Sequence, residues 1–292
     1  MKKYALLMAA VLVGTFFSCD PKPEEEGLQR PNILIILADD AGYADFGFME
    51  SEDMLTPNLD HLAQEGVVFT DAHTSASVCS PSRAGLLTGR YQQRFGHEMN
   101  LRPHQPMAFD SAQVTIAELL SQNGYQTSIF GKWHLGEAPH QHPNKNGFDH
   151  FWGFLAGHRS YFPQPKDSIR EDMHLQENGR PSSFQGYLTD AIGDHALQYL
   201  EGINQDDPFF MFLSFNAPHT PMEADPMHDS LFKDHSRPVY ASMMYSMDLA
   251  IGRIIRKLKE QELYNNSLIF FLSDNGGSIQ NNSSVAPWKG FK

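Results

Sequence analysis

The chain has 292 residues, 41% of them hydrophobic, a formal net charge of -13 and only two cysteines, Cys19 and Cys79. This length and composition suffice for one substantial globular domain with its own core. No basic stripe offsets the acidic balance, so we do not expect a nucleic acid partner, and recognition of an anionic ligand must depend on a few cations gathered at one place.

Residues 1–19 have the pattern of an export signal, and we interpret them as a lipoprotein signal peptide. Two lysines precede an apolar run that is too short to span a bilayer. The sequence Phe16-Phe17-Ser18-Cys19 resembles a bacterial lipobox, although Phe16 stands where leucine is usual. We therefore expect an exported protein that is held at the membrane of the cell envelope by a lipidated Cys19, on its periplasmic side or at the cell surface. Cleavage and secretion without lipidation is the alternative.

Residues 20–31 are rich in proline and acidic residues and are predicted to be a disordered tether. Apolar runs and helical patterns alternate through the rest of the chain. The predicted strands are 32–38, 67–69, 125–130, 209–215 and 268–272. The predicted helices are 56–65, a helix from Cys79, 114–122, 187–202 and 239–262.

This alternation predicts an α/β fold with a mostly parallel sheet and helices on both faces. The segment 136–185, which is rich in Pro, His, Gly and Asn, shows little periodicity. We predict that it forms an elaborated loop region over the binding pocket.

Polar residues cluster where the predicted strands end. In open parallel sheets, ligands bind outside the carboxyl ends of the strands. Any one of these residues could belong to an ordinary turn, but together they indicate a ligand site at one edge of the sheet. The residues are Asp39, Asp40, Lys132, His134, His219, Asp274 and Asn275. Carboxylate and amide oxygens favour Ca²⁺ or Mg²⁺ over zinc, so the sequence predicts a site for a hard divalent cation.

The stretch from Cys79 to Arg90 reads Cys-Ser-Pro-Ser-Arg, a short apolar turn, and Leu-Thr-Gly-Arg. Pro81 suits the first turn of a helix, which places Cys79 at the helix N-terminus, where free N–H groups favour an anion. Arg83 is four residues further on and shares a helix face with Cys79. A lone cysteine is more often a small buried hydrophobic residue. This pattern, however, resembles the signature of the type I sulfatases, arylsulfatase-like members of the alkaline phosphatase superfamily.

The resemblance covers residues 31–292 and implies an alkaline-phosphatase-like fold. It implies that a sulfatase-maturating enzyme converts Cys79 into formylglycine. It also implies that residue 79 completes the ligand shell of a metal, usually calcium with magnesium as the alternative, and the other implied ligands are Asp39, Asp40, Asp274 and Asn275. Asp45 is a weaker candidate for a ligand and is more readily interpreted as a loop acid.

The cationic set that the resemblance implies around a sulfate group is Arg83, Lys132, His134, His219 and Lys292. Lys292, not Lys289, falls at the position of the family's late lysine motif. The implied reaction is hydrolysis of a sulfate ester, in which one hydroxyl of the hydrated aldehyde at residue 79 attacks sulfur. His219 or Lys292 would protonate the leaving oxygen, and His134 would then take a proton so that sulfate is expelled.

Other histidines carry weaker indications. His97 either reaches the pocket and influences substrate choice or has no such role, whereas His140 and His142 are expected in a solvated loop. The implied substrate is a sulfated carbohydrate, favoured over a small aryl sulfate. The particular sugar, exo or endo action and the oligomeric state cannot be read from the sequence.

Family members are longer than this chain. We therefore interpret residues 32–292 as an N-terminal catalytic domain that is truncated at its C-terminal end and lacks the smaller subdomain, which puts the role of Lys292 in question. Two alternative functions stay open. One is a phosphonate or phosphate-ester hydrolase of the same superfamily, and the other is a truncated lipoprotein that binds glycans without turnover.

Overall fold

The computed structural model describes residues 30–101 and 112–292. The predicted signal peptide, the lipidation site and all but the end of the predicted tether lie outside the described residues. Within the described ranges, no helix combines the length and the apolar character needed to cross a membrane.

One sheet of seven strands forms the centre of the fold, in the order β5-β4-β3-β2-β6-β1-β7. The strands from β3 to β7 along this order pair in parallel, and β4 and β5 add a short antiparallel hairpin at one edge. The bounds are β1 Asn32–Ala38, β2 Gln126–Lys132, β3 His150–Phe154, β4 Gln176–Glu177, β5 Arg180–Pro181, β6 Phe209–Ser214 and β7 Ser267–Ser273.

Helices cover both faces of this sheet. Their bounds are α1 Pro57–Gln64, α2 Cys79–Thr88, α3 Ile116–Gln122, α4 Leu188–Gly202, α5 Asp229–Phe232 and α6 Pro238–Glu260. Residues of α1, α4, α5 and α6 join one apolar cluster with strand residues such as Leu34, whereas α2 and α3 join a second cluster with Ile35. Because successive side chains of a strand point to opposite faces, the mostly apolar β1 and β6 supply both clusters.

The structure confirms the predicted α/β class, the mostly parallel sheet and nearly every predicted helix and strand to within two or three residues. The predicted strand at 67–69 is wrong, because these residues pair with no strand and the side chains of Val67 and Phe69 are largely exposed. The segment 136–185 is not only loop, since it contains β3, β4 and β5. Gly153 interrupts the apolar run of β3, so the sequence pattern did not predict this strand.

Gly131 allows the close approach of the two central strands β2 and β6. Its φ is +107°, and a Cβ at this position would lie 2.1 Å from the carbonyl oxygen of Ser214. The next residue of β2 is Lys132, one of the predicted site residues. The spacing of these strands therefore depends on the absence of a side chain here.

We predict that Gly131→Ala lowers the free energy of unfolding by about 2–4 kcal/mol, because it combines a disfavoured φ with a backbone clash. The matched control is Gly202→Ala at the end of α4, where an added Cβ meets nothing within 4 Å. This control should be neutral or stabilising by up to about 1 kcal/mol. Urea unfolding of both variants measures the difference, and equal midpoints would contradict the prediction.

Candidate active site at the carboxyl edge of the sheet

Backbone hydrogen bonds hold the ends of the central strands side by side. The N–H of Asp39, just after β1, donates to the carbonyl of Ala217 at 3.0 Å, and the N–H of Asp274, just after β7, donates to Ala38 at 2.9 Å. The N–H of Trp133, after β2, donates to Phe154 at 3.0 Å. The predicted site residues that follow these strands are thereby brought to one edge, as the sequence suggested.

Cys79 lies at the centre of this edge. Helix α2 begins at this residue after an extended Val78, and the Cys79 side chain is fully buried. Its Sγ lies 3.3 Å from Oδ1 of Asp39 and 3.7 Å from Oδ1 of Asp40, and Nζ of Lys292 approaches it at 2.9 Å. Burial and the charges of Asp274 and Asp39 raise the pKa of the thiol well above its ordinary value. The unmodified cysteine is therefore a poor nucleophile.

Asp39 is a fully buried carboxylate with two cationic partners. Nζ of Lys132 donates to its Oδ2, and a terminal nitrogen of Arg83 lies 3.4 Å from the same oxygen. Burial alone would raise the pKa of Asp39, but the charges of Lys132 and Arg83 outweigh it and hold the pKa well below its usual range. Asp39 is thus ionised and fixed in place.

Asp40 has a left-handed backbone, with φ at +65°, which turns its carboxylate toward the same space. Lys292 Nζ donates to its two oxygens at 2.7 and 2.9 Å, and the side-chain amide of Asn275 donates to Oδ1 at 2.7 Å. Nε2 of His219 is 3.6 Å from Oδ2. The N–H of Lys292 also donates to the carbonyl of Gly277 at 2.9 Å, so this lysine is held at its backbone and at its side chain.

Arg83 joins the ends of three strands. Its Nε donates to Oδ2 of Asp274 at 3.0 Å, and another nitrogen donates to Oγ of Ser214 at 2.5 Å and to the carbonyl of Lys132 at 3.1 Å. Burial and the neighbouring charge of Asp39 raise the pKa of Asp274 to about 7, although Arg83 opposes this. Burial is thus the main cause that favours the protonated form of Asp274.

The arrangement fits a metal ion. Ligand atoms of Asp39, Asp40, Cys79 and His219 all lie within 4.8 Å of one another. The buried Oδ1 of Asn275 has no hydrogen-bond partner among the described residues, although this oxygen belongs to a predicted metal ligand. His219 stands in this group where the sequence predicted Asp274, whose carboxylate is engaged by Arg83.

The two predicted catalytic histidines are both neutral in this environment. Burial is the main cause that lowers the pKa of His134 and of His219. The Nδ1 of His219 lies 2.6 Å from the carbonyl of Thr220 and so carries the proton, which leaves a lone pair on Nε2. The buried Nδ1 of His134 has no partner among the described residues. Each ring thus has a nitrogen that can exchange a proton with a ligand.

Several supporting residues had no distinctive signal in the sequence. The hydroxyl of Tyr161 lies 2.6 Å from the carbonyl of Asn216 and 2.8 Å from that of His219. The side-chain amide of Asn281 donates to the carbonyls of Asp40 and Pro218 at 3.0 and 3.1 Å. These contacts join loops that are distant in sequence, so only the folded chain could show them.

The structure also places the two weaker candidates, Asp45 and His97. Asp45 accepts hydrogen bonds from the N–H of Gly42, from Arg237 and from the hydroxyl of Tyr240, which supports its interpretation as a loop acid. His97 is buried, and its Nε2 lies 2.7 Å from Oγ of Ser80, beside Cys79.

The structure also shows the solvent exposure of Lys289 and of the two loop histidines. Lys289 and His140 are exposed to solvent, whereas His142 is partly buried and its Nε2 lies 2.9 Å from Oε1 of Gln176. Lys292, and not Lys289, is therefore the lysine of this segment that reaches Cys79.

Comparison with known families agrees with this geometry. A family model described as Sulfatase matches residues 31–291. The chain belongs to the sulfatase family. Mouse arylsulfatase J is 34% identical over 285 residues, an alignment that covers 94% of this chain and 47% of that protein. Human N-acetylgalactosamine-6-sulfatase is 33% identical over 274 residues, an alignment that covers 86% of this chain and 51% of that protein. The chain thus spans about half the length of these curated relatives.

Solved structures show the same fold. The crystal structure of Ps i-CgsB superposes with a TM-score of 0.86 at 39% identity, covering 89% of this chain and 62% of that one. The sheet and its helices confirm the predicted alkaline-phosphatase-like fold. Phosphonate monoester hydrolase of Agrobacterium radiobacter superposes with a TM-score of 0.58 at 20% identity, which shows a shared fold alone.

We predict that Tyr161→Phe lowers the free energy of unfolding by about 1–3 kcal/mol, because it removes the hydroxyl donor that lies within hydrogen-bond distance of the carbonyls of Asn216 and His219. Tyr91→Phe is the control, since Tyr91 is 69% exposed and should shift stability by less than about 0.5 kcal/mol. Urea denaturation of the pair tests this. A Tyr161→Phe variant as stable as the parent would show that the hydroxyl does not hold the His219 loop.

Proposed function

We propose that the protein containing this chain hydrolyses sulfate esters of saccharides, with residue 79 converted to formylglycine as its nucleophile. The observation that carries this proposal is the position of Cys79, where the start of α2 meets the two carboxylates that follow β1 and the ammonium group of Lys292. A buried thiol with a raised pKa is a poor nucleophile unless it is modified. The same position suits an aldehyde hydrate whose hydroxyls replace sulfur among these partners.

The proposed metal ligands are Asp39, Asp40, Asn275 and the oxygen of residue 79, with Asp274 or His219 beside them. The oxygen-rich set favours calcium, with magnesium as the alternative. When bound, such an ion supplies positive charge that stabilises the oxygens of a sulfuryl group.

The cations of the chain have two roles in this proposal. Lys132 and Arg83 hold the Asp39 carboxylate, and with Lys292 they present positive charge to a bound sulfate. Nζ of Lys292 and Nε2 of His219 both face Asp40. Lys292 can give a proton to the leaving oxygen directly, whereas Nε2 of His219 must first take up a proton before it can do so. Nδ1 of His134 is the atom available to accept the proton that residue 79 must lose to release sulfate.

The proposed substrate class is a sulfated saccharide. One relative is named for sulfated N-acetylgalactosamine, and Ps i-CgsB has been crystallised with k-i-k-neocarrahexaose. Export and anchoring through a lipidated Cys19 would place the enzyme at the bacterial cell envelope, where large glycans are encountered. The sequence motifs of residues 1–19 support this location, and the Cys79 signature supports a maturating enzyme as partner.

The direct test is co-expression with a sulfatase-maturating enzyme, followed by peptide mass spectrometry and assays of sulfate, phosphate and phosphonate esters. We expect formylglycine at position 79 and sulfate release that exceeds hydrolysis of the other two esters. Preferred hydrolysis of the phosphonate or phosphate ester would support the alternative hydrolase. Unmodified Cys79 in the presence of a competent maturase would refute the proposed nucleophile.

Metal binding can be tested without turnover. We expect Asp40→Asn, which keeps the shape of the side chain, to abolish the heat of Ca²⁺ binding in calorimetry, because it removes a charged ligand oxygen. Asp234→Ala is the control, since the Asp234 side chain is 89% exposed and outside the site. Equal Ca²⁺ affinity in the parent and in Asp40→Asn would show that the ligand assignment is wrong.

A further inference from the structure

The segment 157–161, between β3 and β4, runs along the site between its two histidines. A Cβ on Gly157 would lie 2.4 Å from Nε2 of His134, so the backbone here packs directly against that ring. The next residue, His158, has its ring centroid 6.4 Å from that of His219, with the planes only 16° apart. Position 158 therefore borders the mouth of the site.

The neighbours of His158 are all engaged in holding the segment in place. Arg159 is buried, donates to the carbonyl of Met173 at 2.9 Å, and has its guanidinium within 6 Å of the ring centroids of Phe154 and Phe184. Oγ of Ser160 and the N–H of Tyr161 both donate to Oε2 of Glu223, at 2.7 and 2.8 Å. The backbone at His158 is thus fixed from both sides.

His158 itself is different. Its side chain is exposed to solvent, and its ring nitrogens have no hydrogen-bond partner among the described residues. A fixed backbone that presents one unengaged polar ring beside a reaction centre is typical of a residue that contacts the ligand. None of the proposed chemical steps uses this imidazole.

The environment of the ring indicates what it can recognise. Partial burial, which is the largest cause, and the charges of Arg170 and Lys132 lower the pKa of His158 and so favour the neutral ring. A neutral imidazole offers one donor and one acceptor, which suits a hydroxyl group better than a second sulfate. The leaving oxygen is proposed to lie near His219, so the ring of the departing sugar would be next to His158.

We propose that His158 is a substrate-binding residue that hydrogen-bonds a hydroxyl of the sugar ring carrying the sulfate, and thereby favours saccharide sulfates over aryl sulfates. This inference rests on the proposed function. It assigns to this chain a specificity contact at the mouth of the site, separate from the groups that hold the sulfate.

The test compares two substrates, k-i-k-neocarrahexaose and a small aryl sulfate, in variants matched for formylglycine content. His158→Ala should lower kcat/KM on the saccharide by about 3- to 10-fold, mainly through KM, because one neutral hydrogen bond is lost. The rate on the aryl sulfate should stay within about twofold, since no hydroxyl contact is lost there. His158→Gln, which keeps a donor and an acceptor, should recover most of the saccharide activity.

His61→Ala is the matched control, because His61 is an exposed histidine on α1 that lies outside the site. An equal loss on both substrates, or no loss on either, would overturn the role of His158. If the matured parent releases sulfate from neither ester, the proposed function fails instead. Calorimetric binding of the saccharide to the parent and to His158→Ala then still decides the inference, because equal affinities would refute it.

Discussion

The structure around Cys79 depends on keeping the buried Asp39 carboxylate ionised. A carboxylate without water around it is stable only when cations and donors replace the solvent. Lys132 and Arg83 do this from β2 and α2, and the thiol of Cys79 adds a weaker contact. Removal of either cation would leave an uncompensated charge in the core, at a cost of about 3–5 kcal/mol in comparable buried pairs. The same contacts that position the reaction centre therefore also hold the strand ends together.

The topology of the sheet makes this convergence feasible. Because β2, β6, β1 and β7 are adjacent and parallel, the residues that follow them all emerge at one edge. Helix α2 then brings its first residue to that edge and Arg83 one turn further on, so that one helix supplies both the nucleophile position and a cation. Carboxylates and a lysine contact residue 79, which is consistent with the proposed metal and the proposed anionic ester at this position.

Much of this could be predicted from the sequence, because the signals are local. The apolar run of β1 and the Cys79 signature each specify their own structure, and the polar residues at strand ends indicated the site. The pairing of Asp274 with Arg83 and the position of His219 near Asp40 depend on side-chain packing across the sheet, which no local pattern encodes. The role of position 158 is hidden in the same way, since it emerges only when the contacts of Arg159 and Ser160 are known.

The central claim is that side chain 79 performs the chemistry at this edge of the sheet. The most direct measurement is sulfate release from a sulfated saccharide by the parent and by Cys79→Ala, both produced with the same maturating enzyme. We expect the parent to release sulfate with multiple turnovers and Cys79→Ala to fall to the background rate, with the carboxylates of the proposed metal site still in place. Comparable rates in the two proteins would contradict the account, because the reaction would then need no nucleophile at residue 79.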